Sequence, residues 1–160
     1  MGSSAAWQLS QYGEKVLLIE QQGPNYKTGS SYGQSRISRS LGPDKDIFSF
    51  IHNKAVSEAK RLISFLNTSE KGAFHCMEDI YVTNPVTYIF DESGTKEIED
   101  LCHAKQNDYH KVASGKNIFE VFGMTMQDYN TGIREYRDYT GMINPKVLIS
   151  KLHKGIKHYD

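Results

Sequence analysis

The sequence predicts an α/β fold, and three features of the 160-residue chain support that prediction. A short helix near the N-terminus is followed by a continuous apolar run of the kind found in buried strands. A long helix with apolar residues at 3.6-residue spacing follows it. Near the C-terminus a strand-like segment leads into another helix. A chain of this length can bury roughly 70% of its unfolded surface, so we expect one domain over residues 1–160.

The first helix is predicted over Ser3–Tyr12. Its apolar face is formed by Ala5, Ala6 and Leu9, and Gly13 follows as a C-cap. A glycine just past the last helical turn is a common stop signal. The helix is therefore expected to end at Gly13.

Lys15–Glu20 is an uninterrupted apolar run closed by an acid, which favours a strand buried on both faces of a parallel sheet. Between Gln21 and Asp46 the chain is rich in Gly, Pro and Ser, which predicts a long irregular loop. Loops of this length in compact domains often carry function.

The second helix is predicted from Asp46, a residue suited to a helix N-terminus, to Asn67. Its apolar residues recur at helical spacing. They are Ile47, Ile51, Ala55, Ala59, Leu62, Ile63 and Leu66.

Five further segments complete the expected organisation. They are a strand at Asp79–Thr83 stopped by Asn84-Pro85, a charged helix at Thr95–Lys105, a short turn at Ile118–Phe122, a strand or hairpin arm at Ile133–Ile143, and a last helix at Lys146–Lys157 capped by Asn144-Pro145.

Composition argues against several classes of partner. The 19 basic and 19 acidic residues give a net charge of zero and no basic face for nucleic acid. No apolar run reaches the roughly 18 residues of a membrane span, and no leader is expected, so the sequence predicts a cytoplasmic protein. Cys76 and Cys102 lack CxxC spacing, which favours free thiols in a reducing compartment.

For the other candidate histidine, cysteine and tyrosine residues, the sequence favours a structural role over catalysis or ligand binding. Adjacent residues on a strand point to opposite faces, so His75-Cys76 is expected to be an exposed histidine beside a buried cysteine. His153 and His158 are the pair nearest to ligand spacing, and no metal site is expected. The tyrosine-rich segment Tyr129–Tyr139 is expected to be a half-exposed strand rather than a nucleic-acid platform.

The opening residues match part of a dinucleotide-binding unit. Gly2 can be the third glycine of a GxGxxG turn, and Glu20 lies about 18 residues further on, near the roughly 20 expected for a ribose-binding acid. The first strand and the first two glycines are absent. An ordinary helix followed by a strand is the alternative interpretation.

The loop Gly29–Arg39 is the second candidate region. Arg36 and Arg39 are three residues apart, so they are expected on one face of a helical turn, where their guanidinium groups could hold carboxylate or phosphate anions. Small residues upstream allow close approach to a ligand. The alternative is a pair of solvated surface arginines.

In their order along the chain, these stretches resemble the flavin-dependent amine oxidases of the monomeric sarcosine oxidase and N-methyltryptophan oxidase type, within the D-amino-acid-oxidase-like superfamily. Met1-Gly2 resembles the end of the family's GAGxMG motif, and Gln8–Gly13 its helix end. Glu20 resembles the acid that closes the second strand, and Gly29–Arg39 the GSxxGxxRxxR loop.

The resemblance implies FAD as cofactor and oxidation of the C–N bond of a secondary or N-methyl amino acid, with oxygen as acceptor. It implies that Gly2 lets the helix approach the pyrophosphate and that Glu20 binds the ribose. Ser30 and Arg36 would lie beside the flavin, and Arg39 would bind the carboxylate of a small amino-acid or amine substrate.

The resemblance covers well under half of a family member. It implies an incomplete FAD-binding Rossmann-like domain with part of an attached substrate-domain strand region, truncated at both ends. The family's flavin-linking cysteine and flavin-activating lysine would lie beyond this chain. Because the missing first strand would leave its neighbours in the sheet with unpaired backbone groups, we expect weak or absent flavin binding. The alternatives are a non-catalytic truncated gene product, or a subunit that completes its sheet with a partner chain. A nicotinamide-binding unit is a third alternative, which the arginine loop disfavours.

Overall fold

The computed structural model describes residues 2–21, 29, 32–39, 46–90, 96, 109–114, 131–135 and 140–159. Its elements, in chain order, are α1 (Gly2–Gln11), β1 (Arg36–Ser38), α2 (Asp46–Ser69), β2 (Tyr81–Thr83), β3 (Val86–Phe90), β4 (Tyr109–Ser114), β5 (Thr131–Glu135), β6 (Gly141–Ile143) and α3 (Pro145–Lys157).

The chain divides into two compact units. The first unit comprises 1–36, 55–82 and 142–160, and the second comprises 37–54 and 83–141. The first unit contains α1, α3 and most of α2. The second contains the sheet of β3, β4 and β5.

Helix α1 confirms the first predicted helix. Gly13 adopts a φ of 77°, and its N–H donates to the carbonyl of Ser10 at 3.0 Å, which ends the helix where the sequence indicated. The buried face differs from the expected one. Ala6, Trp7 and Ser10 are buried, because the large indole turns the helix toward the core.

Helix α2 confirms the long predicted helix and ends two residues later, at Ser69. In its first half, Ile51 is half exposed, so that part of the apolar stripe is not covered. Further along the helix, Val56, Leu62, Ile63 and Leu66 are buried.

The core of the first unit is built between helices. Trp7 of α1, Leu62 and Leu66 of α2 and Leu152 of α3 form one apolar cluster. The ring of Trp7 lies 5.1 Å from that of Phe65, a distance typical of favourable aromatic pairs. Each helix supplies its own backbone hydrogen bonds, so this core needs only side-chain packing.

Helix α3 also confirms its prediction. The side chain of Asn144 accepts from the N–H of Val147 at 3.3 Å, and Pro145 occupies the first turn, where no backbone donor is needed. Lys154 and Lys157 lie in the last turn, where positive charge complements the helix dipole.

The second unit contains an antiparallel sheet in the order β3-β5-β4. Val86 pairs with Glu135 and Phe90 with Thr131 across β3 and β5. The β4–β5 register shifts between Lys111 and Ala113, which is a bulge.

The predicted strand at Asp79–Thr83 is confirmed in its last three residues as β2, whereas Asp79 and Ile80 lie in the preceding turn. The single strand or hairpin expected at Ile133–Ile143 is instead two strands, because β5 and β6 belong to different sheets. Strand β6 lies between β1 and β2.

The buried strand predicted at Lys15–Glu20 is wrong. The segment forms neither helix nor strand, and Leu17 and Ile19 are 83% and 80% exposed. The physical reason is pairing. A strand is stabilised by hydrogen bonds to neighbouring strands, and none of the strands in the described part of the chain pairs with this one.

The helix predicted at Thr95–Lys105, apart from Lys96, and the turn predicted at Ile118–Phe122 lie outside the described residues. Within the described ranges, no helix combines the length and the hydropathy needed to cross a bilayer.

Candidate functional site

The N-terminus of α1 packs closely against the apolar segment that leads to Glu20. A Cβ placed on Gly2 would lie 3.3 Å from Cδ1 of Leu18, closer than most Cβ contacts. The third glycine of a dinucleotide turn has this role, because its missing side chain lets the helix start approach the neighbouring segment. The contact leaves little room for a side chain at Gly2.

Glu20 lies in the first unit with α1 and is exposed. It follows directly on the segment that Gly2 contacts, which is the order that a ribose-binding acid requires. Ser30, the proposed flavin neighbour, lies outside the described residues.

The arginine loop differs from its predicted form. Arg36 lies in β1, so the helical turn expected for Arg36 and Arg39 is wrong. In extended backbone, residues three apart point to opposite sides. The reason for the difference is local, because the Arg36 guanidinium donates to the backbone carbonyls of Tyr32 and Ser35.

The contacts of Arg36 close a compact turn. The N–H of Tyr32 donates to the carbonyl of Gly29 at 2.9 Å. Gly33 has a φ of 126°, and a Cβ there would lie 2.8 Å from Nη1 of Arg36. A side chain at Gly33 would therefore meet both a strained backbone and the guanidinium.

Arg39 lies in the second unit, beyond the end of β1, and is exposed. Its guanidinium carbon is 5.9 Å from the ring centre of Tyr88, a buried residue of β3 in the same unit. This distance is at the outer limit of a cation–π contact. The Tyr88 ring thus lies beside one face of the guanidinium.

A second cluster, which the sequence did not reveal, is formed by ionic side chains in the first unit. It joins the end of α2, the connection 70–80 and α3. We call it the His75 network. Its members are Glu70, His75, Asp79, Lys151, Lys154 and His158.

His75 is the centre of this network and is 7% exposed. Nε2 lies 2.7 Å from Oε2 of Glu70, and Nδ1 lies 3.0 Å from Nζ of Lys151. The Lys151 ammonium also donates to Asp79 at 3.2 Å. Lys151 is likewise 7% exposed, and buried charges of this kind occur in proteins when they are paired.

The network shifts the ionisation of its carboxyl groups. Hydrogen bonding from His75, and then from Lys154 and His158, lowers the pKa of Glu70. Hydrogen bonding from Lys151 lowers the pKa of Asp79. Both carboxylates are therefore held in their charged form.

The expectation for His75-Cys76 is reversed. His75 is buried and Cys76 is partly exposed, because this part of the connection is not a strand. The side chain of Asn67 instead holds the backbone of His75, accepting from its N–H at 2.7 Å and donating to its carbonyl at 2.9 Å. The Cys76 thiol donates to Glu78, which raises the pKa of Cys76 and keeps it from the reactive thiolate form.

One signal in the sequence could have indicated this network. Lys151, Lys154 and His158 are spaced three and four residues apart, so they share a face of α3. Nothing local shows that this face meets Glu70 and His75. Among the residues that the structure describes, no group of three His, Cys, Asp or Glu side chains could hold a metal ion.

The mixed helix and sheet architecture matches part of the fold of a solved structure. The chain superposes on NikD, described as an unusual amino acid oxidase essential for nikkomycin biosynthesis, with a TM-score of 0.73 and 15% identity. A point mutant of NikD in its open form gives a TM-score of 0.71 and 14% identity. Both matches cover 98% of this chain and 38% of NikD.

In sequence, the chain is similar to an Arabidopsis thaliana protein named "Probable sarcosine oxidase". The two are 28% identical over 150 residues, which is 94% of this chain and 34% of the relative. No protein-family model matches. The comparisons confirm the resemblance to sarcosine-oxidase-like enzymes, and the chain spans about a third of the curated relative's length.

Proposed function

We propose that this chain is the part of a sarcosine-oxidase-like FAD-dependent oxidoreductase that meets both the adenosine half of the cofactor and the substrate carboxylate. The parent reaction oxidises the C–N bond of a secondary or N-methyl amino acid, with oxygen as acceptor. The observation that carries the proposal is the match to a protein named as a sarcosine oxidase along 94% of the chain.

In the first unit, the residues present suit an adenine dinucleotide. The N-terminus of α1 offers backbone N–H groups and the positive end of a helix dipole to a pyrophosphate. The close packing of Gly2 on Leu18 keeps this approach free of a side chain. Glu20, exposed after that segment, would accept hydrogen bonds from the ribose hydroxyls. The bound flavin would supply the redox chemistry, and the protein its orientation and electrostatics.

In the arginine loop, we assign different tasks to the two guanidinium groups. Arg36 donates to Tyr32 and Ser35 and so holds the shape of a turn that, with Ser30, would lie beside the flavin. Arg39, supported by the ring of Tyr88, would bind a substrate carboxylate through its planar pair of donors.

For this polypeptide alone, we propose weak flavin binding and no oxidase activity. The segment Val16–Ile19 lacks strand neighbours in the described part of the chain and is largely exposed. A cofactor cradle on an unpaired segment is poorly organised, and loss of preorganisation weakens binding.

The second candidate is a non-catalytic truncated product, or a subunit whose partner chain completes the sheet. The exposed apolar side chains of Leu17 and Ile19 favour it, since unpaired segments of this kind readily join other chains.

Titration with FAD, followed by flavin fluorescence and absorbance, tests the cofactor assignment. We expect weak, substoichiometric binding that Glu20→Gln abolishes, whereas the control Glu14→Gln, which changes the other acid flanking the segment, retains it. Stoichiometric yellow protein would refute weak binding while supporting the cofactor role. No binding at any FAD concentration would favour the non-catalytic alternative, and a discrete complex with another chain in size-exclusion chromatography would favour the subunit.

A further inference from the structure

The contact between His75 and Lys151 fixes the protonation of the imidazole. A lysine ammonium has donors only, so Nδ1 of His75, 3.0 Å from Nζ, must accept and carries no proton. The ring proton then lies on Nε2, which donates to Glu70 at 2.7 Å. The neutral Nε2–H tautomer satisfies both neighbours at once.

A second proton on the ring removes this arrangement. It would occupy Nδ1 and face the ammonium donor to donor, with two positive charges 3.0 Å apart. Both side chains are more than nine-tenths buried, where an unpaired or repelled charge is costly. Asp79 is half exposed and already accepts from Lys151, so it gives the ammonium a route to solvent.

We propose that His75 and Lys151 form an acid-released latch: protonation of His75 drives the Lys151 ammonium outward past Asp79 and frees α3 from the connection 70–80. The inference is independent of the proposed cofactor.

The charged groups around the His75 ring favour uptake of a second proton by the ring with displacement of Lys151, and not a ring that stays neutral. Glu70, at the end of α2, faces Nε2 and stabilises the imidazolium. Lys154 of α3 and His158, the residue that caps the end of α3, contact the same carboxylate at 3.3 and 3.5 Å, so they share it with His75. Lys151 is the group that an added proton displaces, since it alone faces Nδ1 among the described contacts.

Two backbone hydrogen bonds report the state of the latch. The N–H of His75 donates to the side chain of Asn67 at 2.7 Å, and the N–H of Asn144, the cap of α3, donates to the carbonyl of Ile80 at 2.7 Å. Both depend on the connection 70–80 staying against its neighbours. Amide hydrogen exchange at these positions therefore measures the release.

The experiment follows amide exchange and the side-chain ¹⁵N signals of His75 from pH 8 to pH 5 in the whole chain. We expect the neutral Nε2–H signature at pH 8. As the ring protonates, we expect protection of the His75 and Asn144 amides, corrected for intrinsic exchange, to fall by about tenfold or more, the loss expected when a buried polar contact is broken. In Lys151→Met, protection should no longer follow the protonation of His75.

Lys146→Met is the matched control, because Lys146 is an exposed lysine of the same helix that lies over Tyr32 and outside the His75 network. It should behave like the wild type. If Lys151→Met does not fold, His75→Asn replaces it and should give pH-independent protection. Constant protection throughout the protonation of His75, or an Nδ1–H tautomer at pH 8, would overturn the proposal.

Discussion

Two apolar regions of the first unit differ in how far their side chains are exposed to solvent. Trp7 and Leu62 are 2% and 0% exposed in the helical core, whereas Leu17 and Ile19, equally apolar, are 83% and 80% exposed. A helix satisfies its backbone internally and can bury a face against any complementary helix, but a strand must first find a neighbour to satisfy its backbone. The difference shows that the helices of this unit carry its stability, and that the apolar segment Val16–Ile19 adds little.

The largest expected effect separates these regions directly. Leu62→Ala removes a fully buried side chain from the contact of the three helices and should lower the free energy of unfolding by about 2–5 kcal/mol. Leu17→Ala, the matched control, removes the same atoms from an exposed position and should change it by no more than about 0.5 kcal/mol. Urea denaturation measures both. Equal losses would mean that Leu17 is covered and that the contrast is wrong.

A pair of glycines sharpens the contrast. A Cβ on Gly155 of α3 would lie 2.6 Å from Cζ3 of Trp7 and 3.0 Å from Cδ1 of Leu62, so Gly155→Ala forces a closely packed core apart. Overpacking of this kind costs about 1–3 kcal/mol, only partly offset by the roughly 1 kcal/mol that alanine gains over glycine in a helix.

The same change at Gly2 is the control, because the one described atom that a Cβ there would meet is Cδ1 of Leu18, a partly exposed side chain that can move. Gly2→Ala should therefore change the melting temperature far less than Gly155→Ala. A larger loss at Gly2 would show that the contact of α1 with Val16–Ile19 is rigid, contrary to the comparison above.

The same contrast explains how much the sequence could predict. Helices α1, α2 and α3 follow from local information, namely apolar spacing, the stop at Gly13 and the cap at Asn144. Lys15–Glu20 carries an equally clear local pattern for a strand, yet a strand depends on partners that its own residues do not encode. That prediction is wrong for this physical reason.

Some features of the candidate site could likewise be predicted from the sequence, and others could not. The order of Gly2, Glu20, Arg36 and Arg39 could be read from the sequence, and it identified the family that the comparisons support. The sequence did not predict that Arg36 closes a turn, nor that the Arg39 guanidinium lies near the ring of Tyr88. The contact of His75 with Lys151 joins residues 76 positions apart, and neither neighbour in sequence indicates it.

The smallest expected effect concerns Glu70, a member of the His75 network in the same unit as the helical core. The bond from His75, with those from Lys154 and His158, lowers the pKa of Glu70 in the folded protein below its ordinary value of 4.5. A carboxyl group whose pKa is lowered by folding stabilises the folded state above its unfolded pKa. That stabilisation is lost as the pH falls through the folded pKa.

Glu70→Gln should therefore be less stable than the wild type at pH 7, and the difference should close progressively below pH 4.5, where Glu70 of the wild type takes up its proton. Thermal unfolding at a series of pH values measures this difference. The stability of each protein at pH 7 is the reference for its change with pH. Asp79→Asn should show the same trend, starting from an ordinary value of 3.8, through loss of its bond from Lys151. A difference that stays constant down to the lowest pH would mean that Glu70 supports the core through its shape rather than its charge. Glu70 would then stabilise the unit through packing, as the apolar residues of the helical core do.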